Sequence, residues 1–176
     1  MKYLIIPADS TAELPAGIEK EMILVHQPLE SAYVSGDTAL ATLDELGLLD
    51  AVKTVGVEQD TTTVEAVKSG LADGSMTYAG GADDLQYREL VKSKCDFAVL
   101  PADILSGDEM ADTDVKSKLS DAADSFATLD VPMLVDRSAD EENELGKREW
   151  IKVYGALFGC TEQTDSLFQK AVDAAK

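Results

Sequence analysis

The sequence predicts an α/β protein, a three-layer α/β/α domain with a mostly parallel central sheet. Short apolar runs alternate along the chain with segments of helical periodicity, which is typical of layered α/β domains. The apolar runs are rich in Val, Ile and Leu and lack a polar alternation, as expected for strands buried on both faces of a parallel sheet. The 176 residues fit one domain with a core of its own.

Six apolar runs are predicted strands, because each is short, rich in branched residues and bounded by turn-forming residues. They are Tyr3–Ile6, Met22–Val25, Ala32–Val34, Val52–Val57, Phe97–Leu100 and Pro132–Val135. Thr77 and Tyr78 add a very short seventh strand.

Three helices are predicted between these strands. The first carries Leu40, Leu43 and Leu46, with Asp37 or Thr38 as its N-cap. The second follows a capping box that runs from Thr62 to Glu65. The third contains Tyr87, Leu90 and Val91.

Later in the chain, an amphipathic stripe predicts a fourth helix, with the apolar residues Val115, Leu119, Ala122, Phe126 and Leu129. A fifth predicted helix spans Trp150 to Phe158 and ends at Gly159. Thr161 is expected to cap a last helix, and this helix runs to Lys176 without a stop signal. We therefore expect the chain to be part of a longer protein.

The composition argues against several classes of partner. The 34 acidic residues exceed the 15 Lys and Arg residues and give a net charge of −19. Such a charge repels phosphate backbones and anionic lipid headgroups, so nucleic acids and membrane surfaces are not expected partners. No apolar run approaches the ~20 residues that span a bilayer. The two cysteines, Cys95 and Cys160, form no zinc motif and are expected to be free thiols.

Motifs for covalent chemistry are missing from the sequence. It contains no GxSxG elbow, HExxH helix or GxxxxGK[ST] loop, and its single histidine is His26. The acidic clusters do not have the spacing of an EF-hand, so they are interpreted as solvated loops. The sequence therefore indicates no catalytic residue, no metal site and no cofactor.

Four loops of small and polar residues follow predicted strands, at residues 35–38, 78–82, 101–103 and 137–140. The carboxyl ends of parallel strands meet at one edge of a sheet, so these loops are expected to form one ligand-binding wall. Small residues let backbone N–H groups approach a ligand, Tyr78 offers an aromatic face, and Arg137 offers a cation. Arg137 has an alternative role in an ion pair with Glu141, Glu142 or Glu144. The predicted ligand-binding residues are Ser35, Asp37, Tyr78, Gly80, Ala82, Asp103 and Arg137.

Two segments carry a resemblance to a known family. They are Pro132–Ser138, which reads PMLVDRS, and Leu145–Gly159, which reads LGKREWIKVYGALFG. Earlier segments agree in order, including Tyr33–Ser35, Leu43–Gly47 and Tyr78–Gly81. From about Met22 onward, the chain resembles the iron-chelate/vitamin B12 class of solute-binding proteins of ABC importers.

The resemblance implies a helical-backbone periplasmic binding protein of which this chain is the amino-terminal lobe. Residues 1–160 are then the α/β ligand-binding lobe, residues 161–176 begin the interlobe linking helix, and the second lobe is absent. The implied ligand is a ferric siderophore, haem or cobalamin, held in the interlobe cleft.

The resemblance also implies that the loaded protein docks on a membrane permease. In the family, a glutamate early in the helix after the Gly-Gly loop meets a permease arginine. Arg88 takes that position here and Glu89 follows it, so Glu89 is the candidate docking residue. The implied location is the periplasm or the outer face of the membrane, with a lipid anchor on the full-length protein.

Two other functions remain open at this stage. One is a small α/β enzyme with its site at the carboxyl edge of the sheet, where His26 and Asp37 act as acid and base. The other is an interaction domain that works through its acidic surface.

Overall fold

The computed structural model describes residues 2–82, 84–105 and 121–175. The chain divides into two compact units. The first, here called the sheet unit, is Glu30–Glu141. The second, here called the terminal unit, consists of Met1–Leu29 and Glu142–Lys176. The expected division at residue 160 into a lobe and a linking helix stays a prediction.

The sheet unit contains a five-stranded, fully parallel sheet. Its strands are β3 (Ala32–Val34), β4 (Val52–Val55), β5 (Thr77–Tyr78), β6 (Phe97–Pro101) and β7 (Met133–Asp136), while β1 (Tyr3–Ile6) and β2 (Ile23–His26) belong to the terminal unit. The strand order is β5-β4-β3-β6-β7. The α/β class with a parallel central sheet is confirmed, and each predicted strand forms within two residues of its expected bounds.

Helices of the sheet unit connect its strands. They are α1 (Asp37–Glu45), α2 (Glu65–Asp73), α3 (Tyr87–Ser93) and α4, whose described part covers residues 121–128. Val115 and Leu119 of the predicted fourth helix lie outside the described residues. Right-handed crossovers place α1 and α2 on one face of the sheet and α3 and α4 on the other, because the chain reverses its direction across the sheet after β5.

The core of the sheet unit follows the two-residue period of the strands. Tyr33, Ala98 and Leu100 belong to one buried cluster with Leu90 of α3 and Phe126 of α4. Their strand neighbours Ala32, Val34, Phe97 and Val99 are fully buried as well, and they point to the opposite face. Both faces are therefore covered, which explains the unbroken apolar strands.

The terminal unit contains a small parallel sheet and three helices. In it, β1 pairs with β2, and the helices are α5 (Glu144–Glu149), α6 (Ile151–Phe158) and α7 (Thr161–Ala174). The sequence analysis missed α5, although Asn143 supplies its N-cap by accepting a hydrogen bond from the Gly146 N–H at 2.7 Å. Among the described residues, no helix is long and apolar enough to cross a bilayer.

The expected helix caps need correction at three places. Gly36 rather than Asp37 or Thr38 is the N-cap of α1. Val64 is the N-cap of α2, and no capping box forms, since the Thr62 hydroxyl accepts from the Val64 N–H and donates to the Asp37 carboxylate. Cys160 rather than Thr161 precedes α7.

Both cysteines are free, as predicted. Burial raises the pKa of the Cys95 thiol to about 11, and burial also raises the pKa of Cys160. Both thiols are therefore protonated at neutral pH and poor nucleophiles.

One side chain ties β2 to α6 in the terminal unit. The Gln27 Nε2 group donates to the carbonyl oxygens of Ala156 and Leu157, at 2.7 and 3.0 Å. Carbonyls in the last turn of a helix lack partners within the helix, so the Gln27 amide supplies the hydrogen-bond donors that these carbonyls need.

We expect Gln27→Ala to lower the free energy of unfolding of the terminal unit by about 1–2 kcal/mol, since two helix carbonyls lose their donor. Urea unfolding followed through amide signals of α6 measures the change. The matched control is Gln169→Ala, which removes an exposed amide of α7 and should change stability by less than about 0.5 kcal/mol. Equal effects of the two variants would contradict this role of Gln27.

Candidate functional site

A cavity opens at the carboxyl edge of the five-stranded sheet, where the strand order reverses. The chain passes outward from β3 to β4 and β5, then returns to β6 on the other side of β3. The loops that follow β3 and β6 therefore diverge and leave a crevice between them, and ligands of open α/β sheets bind in such crevices.

The cavity has a volume of about 600 Å³, enough for a compact small molecule. Three of the four loops that the sequence analysis assigned to this edge line it. The lining residues are Ser35, Gly36, Asp37, Thr38, Ala39, Pro101, Ala102, Asp103, Asp136, Arg137, Ser138, Ala139 and Asp140.

Gly36 sets the spacing between two of these loops. Its φ of 115° lies in a region that favours glycine, and a Cβ at this position would stand 3.1 Å from the Cβ of Pro101. The loop after β3 can therefore approach the end of β6 closely. The Ser35 N–H donates to the Val99 carbonyl at 2.9 Å and continues the ladder to the rim of the cavity.

The Asp37 carboxylate joins the cavity rim to the loop before α2. Oδ1 accepts from the Thr62 hydroxyl at 2.7 Å, and Oδ2 accepts from the N–H and hydroxyl of Thr63 at 2.6 and 2.7 Å. Burial raises the pKa of Asp37, but these hydrogen bonds and the charge of Lys68 outweigh it, so the pKa lies below the usual value. Asp37 is therefore ionised and helps to hold the loop in place.

We expect Asp37→Asn to lower the free energy of unfolding of the sheet unit by about 1–2 kcal/mol at neutral pH, because the amide nitrogen cannot accept from Thr63. The folded-state pKa is depressed, so the stabilisation is complete above the ordinary carboxyl pKa. It is lost as the pH falls through the folded-state value. The difference in urea midpoint between wild type and variant should thus be largest at neutral pH and should shrink as the pH falls below the ordinary carboxyl pKa. The control Asp44→Asn, at an exposed position of α1, should show no such pH-dependent difference.

Aspartates and one arginine form the rim beyond β7. Asp136 is buried, and its Oδ1 accepts from the Ser138 N–H at 2.8 Å, which closes a tight turn. The Arg137 Nε donates to the Asp140 carboxylate at 2.7 Å, and both side chains are exposed. An ion pair of Arg137 was one of its two expected roles, but its partner is Asp140 rather than a glutamate that follows.

Four of the seven predicted wall residues meet at this cavity. Ser35, Asp37, Asp103 and Arg137 line it, whereas Tyr78, Gly80 and Ala82 do not. All four loops follow carboxyl ends of strands, but β5 and β7 are the outermost strands of the sheet. Four interstrand spacings of about 4.8 Å put Tyr78 roughly 19 Å from Arg137 along the edge.

The loop after β5 has a separate structural role. Gly80 has a φ of 79°, and a Cβ there would stand 1.9 Å from the Asp84 carbonyl oxygen. The Gly80 carbonyl accepts from the Tyr33 hydroxyl at 2.9 Å. Ala82 lines a smaller cavity of about 300 Å³ with Leu85, Tyr87 and others.

The other candidate residues are not among those that line the cavity. Glu89 on α3 accepts from Lys92 Nζ at 3.2 Å, and 22% of its side chain is exposed. His26 ends β2 in the terminal unit and is exposed, whereas Asp37 belongs to the sheet unit. Across residues 2–82, 84–105 and 121–175, no three His, Cys, Asp or Glu side chains form a group suited to hold a metal ion.

The sequence analysis did not single out Asp136, Ser138 and Asp140 as wall residues. Their loop was expected at this edge, and its residue types could have indicated these positions. Asp and Ser directly after a buried strand are typical of a turn at a functional site.

Comparisons with known proteins identify the fold. No family model and no curated protein matches the sequence. Among solved structures, the petrobactin-binding protein YclQ of Bacillus subtilis has a TM-score of 0.57 at 16% identity, and the match covers 81% of this chain and 43% of that chain.

Two further structures match in the same way. The periplasmic catecholate-siderophore binding protein VctP of Vibrio cholerae has a TM-score of 0.55 at 14% identity, with 83% of this chain and 45% of that chain covered. An ABC-type Fe³⁺-hydroxamate transport system protein of Saccharomonospora viridis has a TM-score of 0.52 at 17% identity, with coverages of 81% and 47%. The chain spans less than half of the length of each. At these identities the likeness concerns the fold, and the chain has the α/β fold of a lobe of these iron-siderophore periplasmic binding proteins.

Proposed function

We propose that this chain is the ligand-binding lobe of a solute-binding protein that serves an ABC importer and captures a metal chelate. One observation carries the proposal: the cavity lies at the switch point of a parallel sheet whose fold matches siderophore-binding proteins. Those proteins are named for petrobactin, a catecholate siderophore and Fe³⁺-hydroxamate. A ferric siderophore is thus the first candidate ligand, and haem and cobalamin follow from the resemblance.

The proposed arrangement has two walls. Residues 1–160 form the lobe, residues 161–176 begin a linking helix, and the cavity faces a second lobe. Ser35, Asp37, Asp103 and Arg137 contact the ligand directly. Tyr78, Gly80 and Ala82 extend the same edge and reach only the far end of a large ligand.

We also propose where the protein acts and how it delivers its ligand. The protein performs no covalent catalysis, acts in the periplasm or at the outer face of the membrane, and carries a lipid anchor at full length. Its loaded form docks on a permease through α3, where Glu89 contacts a basic residue. The ion pair of Glu89 with exposed Lys92 is worth less than about 1 kcal/mol, so it is easily exchanged for another cation.

Paramagnetic broadening tests the proposed site on the 176-residue chain. Amide spectra are recorded with the ferric complex of desferrioxamine B, of a tris-catecholate ligand, and with haem, each against its diamagnetic gallium or zinc counterpart. Because the cavity supplies one of two walls, we expect weak binding, with Kd ~1 mM, equivalent to about 4 kcal/mol.

The proposal expects at least one iron compound to broaden the amides of residues 35–39, 101–103 and 136–140 selectively. Broadening confined to other surfaces, or no selective broadening by any of the three compounds, would overturn it. The variant Ala102→Trp fills the cavity and should remove the effect while the remaining spectrum stays unchanged.

A further inference from the structure

The cavity at the carboxyl edge has a strongly negative rim. Among the residues that the structure describes, four aspartates and one arginine line it, a formal charge of −3. The four carboxylates are Asp37, Asp103, Asp136 and Asp140. Arg137 is the one cation of this described lining, and its Nε already donates to Asp140.

Neutral donors satisfy some of these carboxylates without cancelling their charge. Thr62 and Thr63 hydrogen-bond to Asp37, and the Ser138 N–H bonds to Asp136. The amino terminus of α1 contributes about half a positive charge near the cavity, and Lys68 acts on Asp37, so together they offset only part of the negative charge of the rim. The net charge of −19 on the whole chain adds to the same sign of potential.

The described part of the cavity wall carries no large apolar side chain. The residues described along its wall are Ser, Gly, Asp, Thr, Ala, Pro and Arg, with no aromatic and no Leu, Ile, Val or Met. A flat porphyrin would place most of its apolar face against a wall that offers no large apolar side chain to pack on. A compact chelate with many oxygen atoms finds hydroxyl and backbone donors there.

We infer that the ligand of this site is a compact metal chelate with a neutral or positive charge, of the tris-hydroxamate kind. This inference rests on the proposed function. Three monoanionic hydroxamates cancel the charge of a ferric ion, and an appended amine makes the complex a cation. Three dianionic catecholates leave a trianion, and haem carries two carboxylates. The negative rim attracts the cationic hydroxamate complex, does not repel the neutral one, and repels the tris-catecholate and haem.

The test compares gallium complexes that differ in charge, by amide titration of the 176-residue chain. The probes are the gallium complexes of desferrioxamine B (a cation), of ferrichrome (neutral) and of a tris-catecholate ligand (a trianion). Metal-free desferrioxamine B, which has the same positive charge, measures non-specific attraction to the acidic surface. Each titration is run at low ionic strength and repeated in added salt.

We expect both hydroxamate complexes to bind at residues 35–39, 101–103 and 136–140 at least tenfold more tightly than the trianion. Added salt should narrow the gap between the cation and the trianion, since it screens the exposed rim charges. The double variant Asp103→Asn/Asp140→Asn should weaken the cation and strengthen the trianion, each by severalfold. The control Asp50→Asn removes an exposed aspartate from the turn before β4 and should change neither.

The outcomes separate this inference from the proposed function. A trianion that binds the cavity as tightly as the hydroxamates overturns the charge inference and leaves the proposed function standing. The charge inference would also be overturned if metal-free desferrioxamine B shifted the same amides equally, because the attraction would then require no metal chelate. If no chelate of any charge shifts the cavity residues, the proposed function fails and the inference with it.

Discussion

Replacing Phe126 by alanine is expected to lower the free energy of unfolding of the sheet unit by about 3–5 kcal/mol. Phe126 is fully buried, and its ring centroid lies 5.7 Å from that of Tyr33 in β3. The truncation removes a large apolar contact and leaves a cavity in the core between α4 and the sheet. Urea unfolding, followed through amide signals of β3 and β6, gives the change.

The matched control is Val91→Ala on α3, where the side chain is 60% exposed. This truncation should change stability by less than about 0.5 kcal/mol. Similar losses of stability in both variants would contradict the packing of α4 on the sheet through Phe126.

Replacing Gly155 by alanine is expected to destabilise the terminal unit by about 3 kcal/mol, near the upper end of the usual cost of overpacking. A Cβ at Gly155 would stand 2.1 Å from the Thr164 Oγ1 and 2.8 Å from its Cγ2. Thr164 is fully buried, so α7 must move away from α6. Loss of amide protection in α6 and α7 reports the change.

A double variant isolates the clash between these two residues. Thr164→Ala removes the hydroxyl and the methyl group that the new Cβ would meet, so Gly155→Ala should cost at least about 1 kcal/mol less in the Thr164→Ala background. Additive costs in this cycle would contradict the close contact of α6 and α7 at Gly155.

Local patterns in the sequence predict most of the secondary structure. The strand Tyr3–Ile6 and the strand Ala32–Val34 form at their expected bounds, because apolar β-branched runs between polar turns have few other stable environments. Gly159 ends α6 in a left-handed conformation, as its position predicts.

Caps and strand order depend on residues that are distant in the sequence, so they were harder to predict. Asp37 has the residue type of an N-cap, yet its oxygens bind Thr62 and Thr63, twenty-five or more positions away. Tyr78 belongs to the expected edge, but only the order of the strands reveals that β5 and β7 lie at opposite sides of the sheet. The common edge was thus predictable, and the subset of loops that encloses a cavity was not.

The position of iron in a chelate complex shows whether the cavity at the carboxyl edge binds the ligand. Crystals of the protein grown with a ferric hydroxamate give anomalous difference density at the iron absorption edge, and this density locates the metal without assumptions about the ligand. We expect an iron peak over the cavity, with the chelate in contact with Ser35, Ala102 and Ser138. An iron peak at the opposite edge of the sheet, or on the helices of the terminal unit alone, would contradict it.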